Sequence, residues 1–228
     1  MSSPSNTSDA SWTPAVPRFI YWKFASRAQT PMLLLHAAGI PYDWDDATAN
    51  AWPASKPSAP FGQLPILMDD GYTIAQSGTI TRYCAKLGCL WPQNPAGWLK
   101  VDMLIEHCND IYRMMEKAKY AGDDEAQWQA WQSFAKDKYP EKVAWIASML
   151  GDNEWFGGEK MNAADVVVFS IFNLVERSGA ECPLSTWPAL LEHSKRVAQV
   201  GTINQYLSAN HPVYFKAPAW TAEQGTVV

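Results

Sequence analysis

The sequence predicts a small α/β domain joined to an all-helical domain. Three observations carry that prediction. Residues 18–90 alternate strand-like and helix-like segments. A proline-rich stretch, LWPQNPAG, follows them. From Trp98 onward the apolar residues recur only at helical spacing, and no convincing strand is seen.

The elements of the first part can be read in order. RFIYWK, Arg18 to Lys23, is aromatic and β-branched and reads as a strand. Ser26 is placed to cap a helix through RAQTPMLLLHAAG, with Pro31 in its first turns and Gly39 at its end. PYDWD is short and extended. ATANAWPASKPSAPFG is a proline-rich loop or broken helix. QLPILMDD and YTIA form two strands around a DG turn. Ser77 is expected to cap the helix GTITRYCAKLG, which stops at Gly88. This β-α-β-α-β-β-α order is too short for a dinucleotide-binding domain.

The second part contains periodic segments within 98–120, 124–151, 163–179 and 188–200, and a short one near INQYLSAN. AADVVVFSIFNLVERSG is preceded by Asn162, and Asn162-x-x-Asp165 ahead of an apolar run is a capping-box variant. The division expected is a flexible arm over residues 1–17, an α/β domain over 18–90 and a helical domain over 98–228.

Composition narrows the function. Hydrophobic residues make up 47% of the 228 and charged residues 18%, which suits a packed globular chain. The net charge of -5 and the lack of a basic run argue against a nucleic-acid partner. Cys84, Cys89, Cys108 and Cys182 form neither a CxxC pair nor a zinc pattern with histidines, so reduced thiols and no metal are expected. The arm lacks the apolar core of a secretory signal, and no apolar run is long enough to span a bilayer. A cytoplasmic location with no membrane partner is the expectation.

The chemistry concentrates in FGQLPIL and in DGYTIAQSGTITRYCA. Pro65 at the mouth of a strand cannot donate a ladder bond. A cis Leu64-Pro65 bond would expose the Leu64 N–H and C=O sideways, where an extended peptide can pair with both. Gln76 and Ser77 open a helix whose free N–H groups favour a carboxylate. Either feature alone is also what an edge proline or a capping serine looks like. Together they describe a site for a peptide with an acidic end. Upstream, Trp52 offers an indole N–H and Lys56 a second carboxylate contact. Tyr21 stands near the end of the first strand, and Arg27 near the start of the first helix. A tyrosine hydroxyl held there can donate to a thiolate and lower the thiol pKa, although a core tyrosine would occupy the same place.

These segments resemble the soluble glutathione transferases, most closely the sigma class, from about Arg18 to about Phe215. YWKFASRA is similar to the family's catalytic-tyrosine segment, and WPASKPSAPFGQLPIL and IAQSGTITRYCA to its glutathione-binding segments. WLKVDMLIEHCND resembles its first long second-domain helix, and GGEKMNAADVVVF its folding signature. The resemblance implies a thioredoxin-like N-terminal domain that binds glutathione as cosubstrate, followed by the all-α C-terminal domain. It implies Tyr21 as the thiol activator, with Arg27, Trp52, Lys56, Gln63, Leu64, Pro65, Gln76 and Ser77 holding the tripeptide. Asp102 would reach the neighbouring subunit's glutathione in a homodimer.

The sequence departs from the family pattern between the tyrosine and the helix, where Phe24, Ala25 and Ser26 stand. Ser26 is therefore the alternative activator. Phe24, Tyr112, Met115 and Tyr120 are candidates for the wall of the electrophile site. The expected function is addition of glutathione to a hydrophobic electrophile. The alternatives are a glutathione-dependent isomerase of the prostaglandin D synthase kind, and a non-enzymatic binding or structural protein on the same scaffold.

Overall fold

The protein is described from a computed structural model. It covers residues 16–218, 220–221 and 226–227. Most of the expected N-terminal arm therefore lies outside the described residues.

The N-terminal part is a four-stranded sheet with helices packed on it. Strands β1 (Arg18–Ile20), β2 (Asp43–Asp45), β3 (Ile66–Asp69) and β4 (Tyr72–Ala75) lie in the order β2-β1-β3-β4. β1 pairs parallel with β2 and antiparallel with β3, and β3 pairs antiparallel with β4. The helices here are α1 (Gln29–Ala37), the short α2 (Asp46–Asn50) and α3 (Ser77–Leu87). α1 buries Met32, Leu33, Leu34 and Leu35 completely. Full burial of each such side chain is worth about 1.5–3 kcal/mol. Gly39, at φ +68, ends α1 with a conformation that glycine adopts without strain.

The helical part holds α4 (Pro95–Lys119), α5 (Asp124–Ser133), α6 (Tyr139–Leu150), α7 (Ala163–Arg177), α8 (Pro188–Val197) and α9 (Ile203–Ser208). In α4 the buried residues Val101, Leu104, Ile105, Cys108, Ile111, Tyr112 and Met115 recur three and four apart and form one stripe. α7 is buried on nearly every side from Ala163 to Val175, so it is the axis of the domain.

Three expectations need correction. Ser26 does not cap α1. The N-cap is Ala28, without a side-chain bond, and the Ser26 hydroxyl turns to Tyr112 instead. Ser77 is the first residue of α3, and Gln76 holds the cap position. The periodic run 124–151 is divided, with a π-helical turn at Phe134–Lys138 between α5 and α6. Pro140 explains the division, because it has no N–H to continue an i→i−4 ladder and a locally widened turn accommodates it. Beyond the helices, β5 (Trp220–Thr221) and β6 (Thr226–Val227) pair antiparallel.

The four cysteines are free thiols, as expected, with Cys84 and Cys108 buried. Burial pushes the Cys84 thiol up to about 12, which makes it a packing residue rather than a nucleophile. Among the described residues no helix is long and apolar enough to cross a membrane, and no cluster of three or more His, Cys, Asp or Glu side chains is placed to hold a metal.

Candidate functional site

The candidate site lies where β1 ends and α1, α3 and α4 converge. β1 stops at Ile20, and Tyr21 follows at its end. Its N–H donates to the Asp45 carbonyl at 3.3 Å, and its carbonyl accepts the Trp44 indole N–H at 2.9 Å. The loop after it is pinned by a segment far away in sequence. Ala25 N–H donates to the Pro212 carbonyl at 2.7 Å, and Tyr214 N–H donates to the Ala25 carbonyl at 3.1 Å.

Tyr21 is buried, and burial pushes its hydroxyl up to about 12. The Ser26 hydroxyl, the Arg27 charge and the Arg27 backbone pull in the opposite direction and are outweighed. The hydroxyl therefore stays protonated at neutral pH and is available as a donor. Ser26, also buried, shares a hydrogen bond of 2.5 Å with the Tyr112 hydroxyl from α4. Burial likewise raises Tyr112 far above the ordinary tyrosine value. Three hydroxyls, Tyr21, Ser26 and Tyr112, thus form one buried chain across the two parts of the molecule.

Arg27 extends that chain. Its Nη2 donates to Glu116 Oε2 at 2.6 Å, and its guanidinium carbon lies 4.4 Å from the centre of the Tyr112 ring. A cation over an aromatic face is worth about 0.5–2 kcal/mol, depending on exposure. Ser26, Arg27, Ser77 and Tyr112 share a small cavity of about 30 Å³. That space matches roughly one water molecule. Ser77, predicted at the anion-binding end, is thereby brought beside the residues predicted at the thiol end.

The remaining predicted residues fall into two groups. Gln63, Leu64, Pro65, Gln76 and Ser77 meet at the β3 entrance and the start of α3. The Leu64-Pro65 bond is cis, as expected, and so is Trp52-Pro53. Gln76 Nε2 donates to Gln63 Oε1 at 3.2 Å. Gln76 has φ 69 and ψ 116, a strained conformation for a residue with a side chain. Such strain costs about 1–3 kcal/mol and concentrates at functional sites. Trp52 and Lys56 form the second group, with the Lys56 ammonium 6.0 Å from the Trp52 ring centre. The Lys56 stem runs against Gly62, which has φ +59 and leaves room for it.

Asp102 lies on the outer side of α4, 41% exposed. It accepts the Arg82 Nε–H from α3 at 2.7 Å, and the same arginine reaches Glu106 at 2.7 Å.

Of the four wall candidates, Met115 is fully buried and belongs to the core. Phe24 is half-buried and stacks on Trp22 (centroids 5.7 Å apart) and on Tyr214 (4.9 Å). Tyr120 is exposed, and its hydroxyl bonds Tyr214 at 2.7 Å. Trp22 and Tyr214 were not singled out from the sequence. Tyr214 is 193 residues from Tyr21, and nothing local links them. Trp22 carried the only available signal, as one aromatic in a run of them.

Asp165 is buried without exposure. Its Oδ2 accepts the Asn162 N–H at 2.7 Å, and its Oδ1 accepts the Phe156 N–H and His193 Nε2, both at 2.8 Å. Asn162 Oδ1 accepts the Ala164 N–H at 2.8 Å. The capping box expected from the sequence is therefore present, and His193 is an unforeseen member.

With this geometry in view, the likeness to known proteins is informative. The profile of the glutathione S-transferase N-terminal domain matches residues 17–86, and that of the C-terminal domain matches residues 109–210. The hematopoietic prostaglandin D synthase of Gallus gallus is 31% identical over 148 residues, 65% of this chain and 73% of that one. Glutathione S-transferase Mu 1 of Bos taurus is 25% identical over 214 residues, 88% of this chain and 96% of that one. Among solved structures, the pi-class glutathione S-transferase of Onchocerca volvulus superposes with a TM-score of 0.77 at 23% identity. It covers 87% of this chain and 97% of that one and speaks to the fold alone. The chain belongs to the glutathione S-transferase family, with a thioredoxin-like N-terminal domain and a helical C-terminal domain.

Proposed function

We propose that this protein is a glutathione transferase that uses Tyr21 to stabilise the glutathione thiolate and adds it to a hydrophobic electrophile. The observation that carries the reading is the Tyr21 hydroxyl, set at the end of β1 in one buried chain with Ser26 and Tyr112. A protonated hydroxyl donates to the thiolate and lowers the thiol pKa, so more nucleophile is present at neutral pH. The thiol proton leaves to solvent. The sulfur then forms a bond to the electrophilic carbon, and with an aryl halide the halide departs.

The other residues bind. The Leu64 backbone, beside Pro65, pairs with the peptide, while Gln63, Gln76 and Ser77 receive its acidic end. Lys56 and Trp52 receive a second carboxylate, and Arg27 braces the thiol end through Tyr112 and Glu116. Holding both reactants side by side supplies proximity. The aromatic stack of Trp22, Phe24 and Tyr214 beside Tyr21 offers the electrophile an apolar wall. In this reading the protein acts as a cytoplasmic homodimer, with Asp102 facing the neighbour's glutathione. The nearest family class is sigma, and removal of reactive electrophiles is the role it would serve.

A second reading is favoured by the 31% identity to a protein named as a prostaglandin D synthase. An isomerase returns glutathione at the end of each turnover. Incubation with glutathione and 1-chloro-2,4-dinitrobenzene separates the two. One thiol lost per product formed supports conjugation. Turnover of an endoperoxide without thiol loss, together with no aryl-halide product, supports the isomerase.

A further inference from the structure

A second cavity lies wholly within the helical part, between α7, α8, α9 and the loop over residues 180–185. It measures about 810 Å³. Small-molecule pockets run from about 300 to 1,000 Å³, so a drug-sized compound fits. None of the residues assigned above to glutathione lines it.

Its chemistry is specific. Phe169, Phe172, Leu191 and Leu207 provide an apolar body. One hydroxyl faces that space with no hydrogen-bond partner among the described residues: Ser194 Oγ, which is itself buried. Tyr139, only 1% exposed, lines the same wall within electrostatic reach of Glu176 and Cys182. An unpaired buried hydroxyl is costly, and a ligand that bonds it satisfies it.

The charged lining groups are Glu176, Glu181 and Lys195. Lys195 is held by Glu192 at 2.7 Å. Neither Glu176 nor Glu181 has an ion-pair partner among the described residues, and both are exposed at the rim. The cavity therefore presents an apolar interior, an unpaired serine hydroxyl and a net acidic mouth.

We propose that this cavity is a binding site for a hydrophobic organic cation, an aromatic or aliphatic amine. The hydrocarbon packs against Phe169, Phe172 and Leu191. The single ammonium N–H donates to a carboxylate at the rim, Glu176 or Glu181, and the Ser194 hydroxyl, free to rotate, donates to the face of an aromatic ring or to a polar atom of the ligand. α7 also carries Ser170 and Asn173, which accept bonds from Gln29 of α1, two residues after Arg27.

The test is calorimetric titration of the full chain with imipramine, a tricyclic tertiary amine, with and without saturating glutathione. The anion 8-anilinonaphthalene-1-sulfonate serves as the control. One imipramine should bind per chain at micromolar concentration, undisplaced by glutathione. The double variant Glu176→Gln/Glu181→Gln changes only exposed side chains and should weaken imipramine about tenfold. It should leave both glutathione and the anion unaffected. Ser194→Trp, which places an indole in the cavity, should weaken imipramine binding at least about tenfold while the thermal transition persists. The proposal is overturned if imipramine fails to bind below about 1 mM, if glutathione displaces it, or if the double variant binds it as the parent does.

Discussion

Two buried polar networks brace this molecule, one at the start of α7 and one at the start of α1, and they follow opposite rules. At α7 the Asp165 carboxylate meets three donors at 2.7–2.8 Å and has no exposure. Its bonds are all made within the chain, which is the mark of a structural network. At α1 the chain Tyr21–Ser26–Tyr112 is also buried, but it borders a small cavity shared with Arg27 and Ser77. Its hydroxyls can rotate to meet a new acceptor. The difference teaches that burial alone does not mark a functional group. What matters is whether the group's bonding capacity is already used up and whether a ligand can reach it.

The comparison is broken most sharply at Asp165. Asp165→Ala strips partners from two backbone N–H groups and from His193, all buried. Each buried donor left without a partner costs about 1–3 kcal/mol. Denaturant unfolding should show that loss, and the folded fraction should bind glutathione as the parent does. A variant that keeps full stability and loses glutathione would reverse the roles of the two networks.

At the other network, Tyr21→Phe keeps the ring and its contacts with Trp22 and Phe24. Stability should change little. The conjugation rate at neutral pH should fall as the bound thiol pKa rises, by up to about tenfold per unit once that pKa exceeds the working pH. Because burial holds Tyr21 up at about 12, no tyrosinate signal from it should appear below about pH 11. A rate unchanged from the parent would remove Tyr21 from the chemistry.

A smaller effect is expected at Ser26. Ser26→Ala leaves the buried Tyr112 hydroxyl without its partner and should lower stability by about 1–3 kcal/mol. The conjugation rate should fall less than for Tyr21→Phe. Such a split, more stability lost and less activity lost, marks Ser26 as a positioning residue. The smallest change is predicted for Asp102→Asn. An exposed ion contact is worth about 0–1 kcal/mol, so glutathione affinity should drop by no more than about fivefold. Sedimentation at micromolar concentration should show a dimer for both parent and variant. A monomer would dismiss the idea that Asp102 serves a neighbouring subunit.

The sequence was most legible where chemistry is local. Asn162 and Asp165 are three residues apart, and their capping box could be read directly. The succession of strands along the chain followed from short apolar runs, a DG turn and one proline. The helices followed from spacing. Legibility failed where a side chain chooses between a near and a distant partner. Ser26 looked like a cap, because a serine ahead of a helix usually bonds the nearest N–H. It bonds Tyr112 instead, 86 residues away. His193, 28 residues from Asp165, and Tyr214, beside Phe24, were hidden for the same reason. Pro140 divides the helical run 124–151 that periodicity alone joins.

The central claim is that Tyr21, and not Ser26, stabilises the thiolate. The most direct measurement is a pH titration of the ultraviolet thiolate band of bound glutathione in the parent, Tyr21→Phe and Ser26→Ala. The account predicts a parent midpoint well below the ordinary thiol value of about 8.5. It predicts a shift toward that value in Tyr21→Phe and a smaller shift in Ser26→Ala. A larger shift in Ser26→Ala than in Tyr21→Phe would contradict it and make the serine the activator.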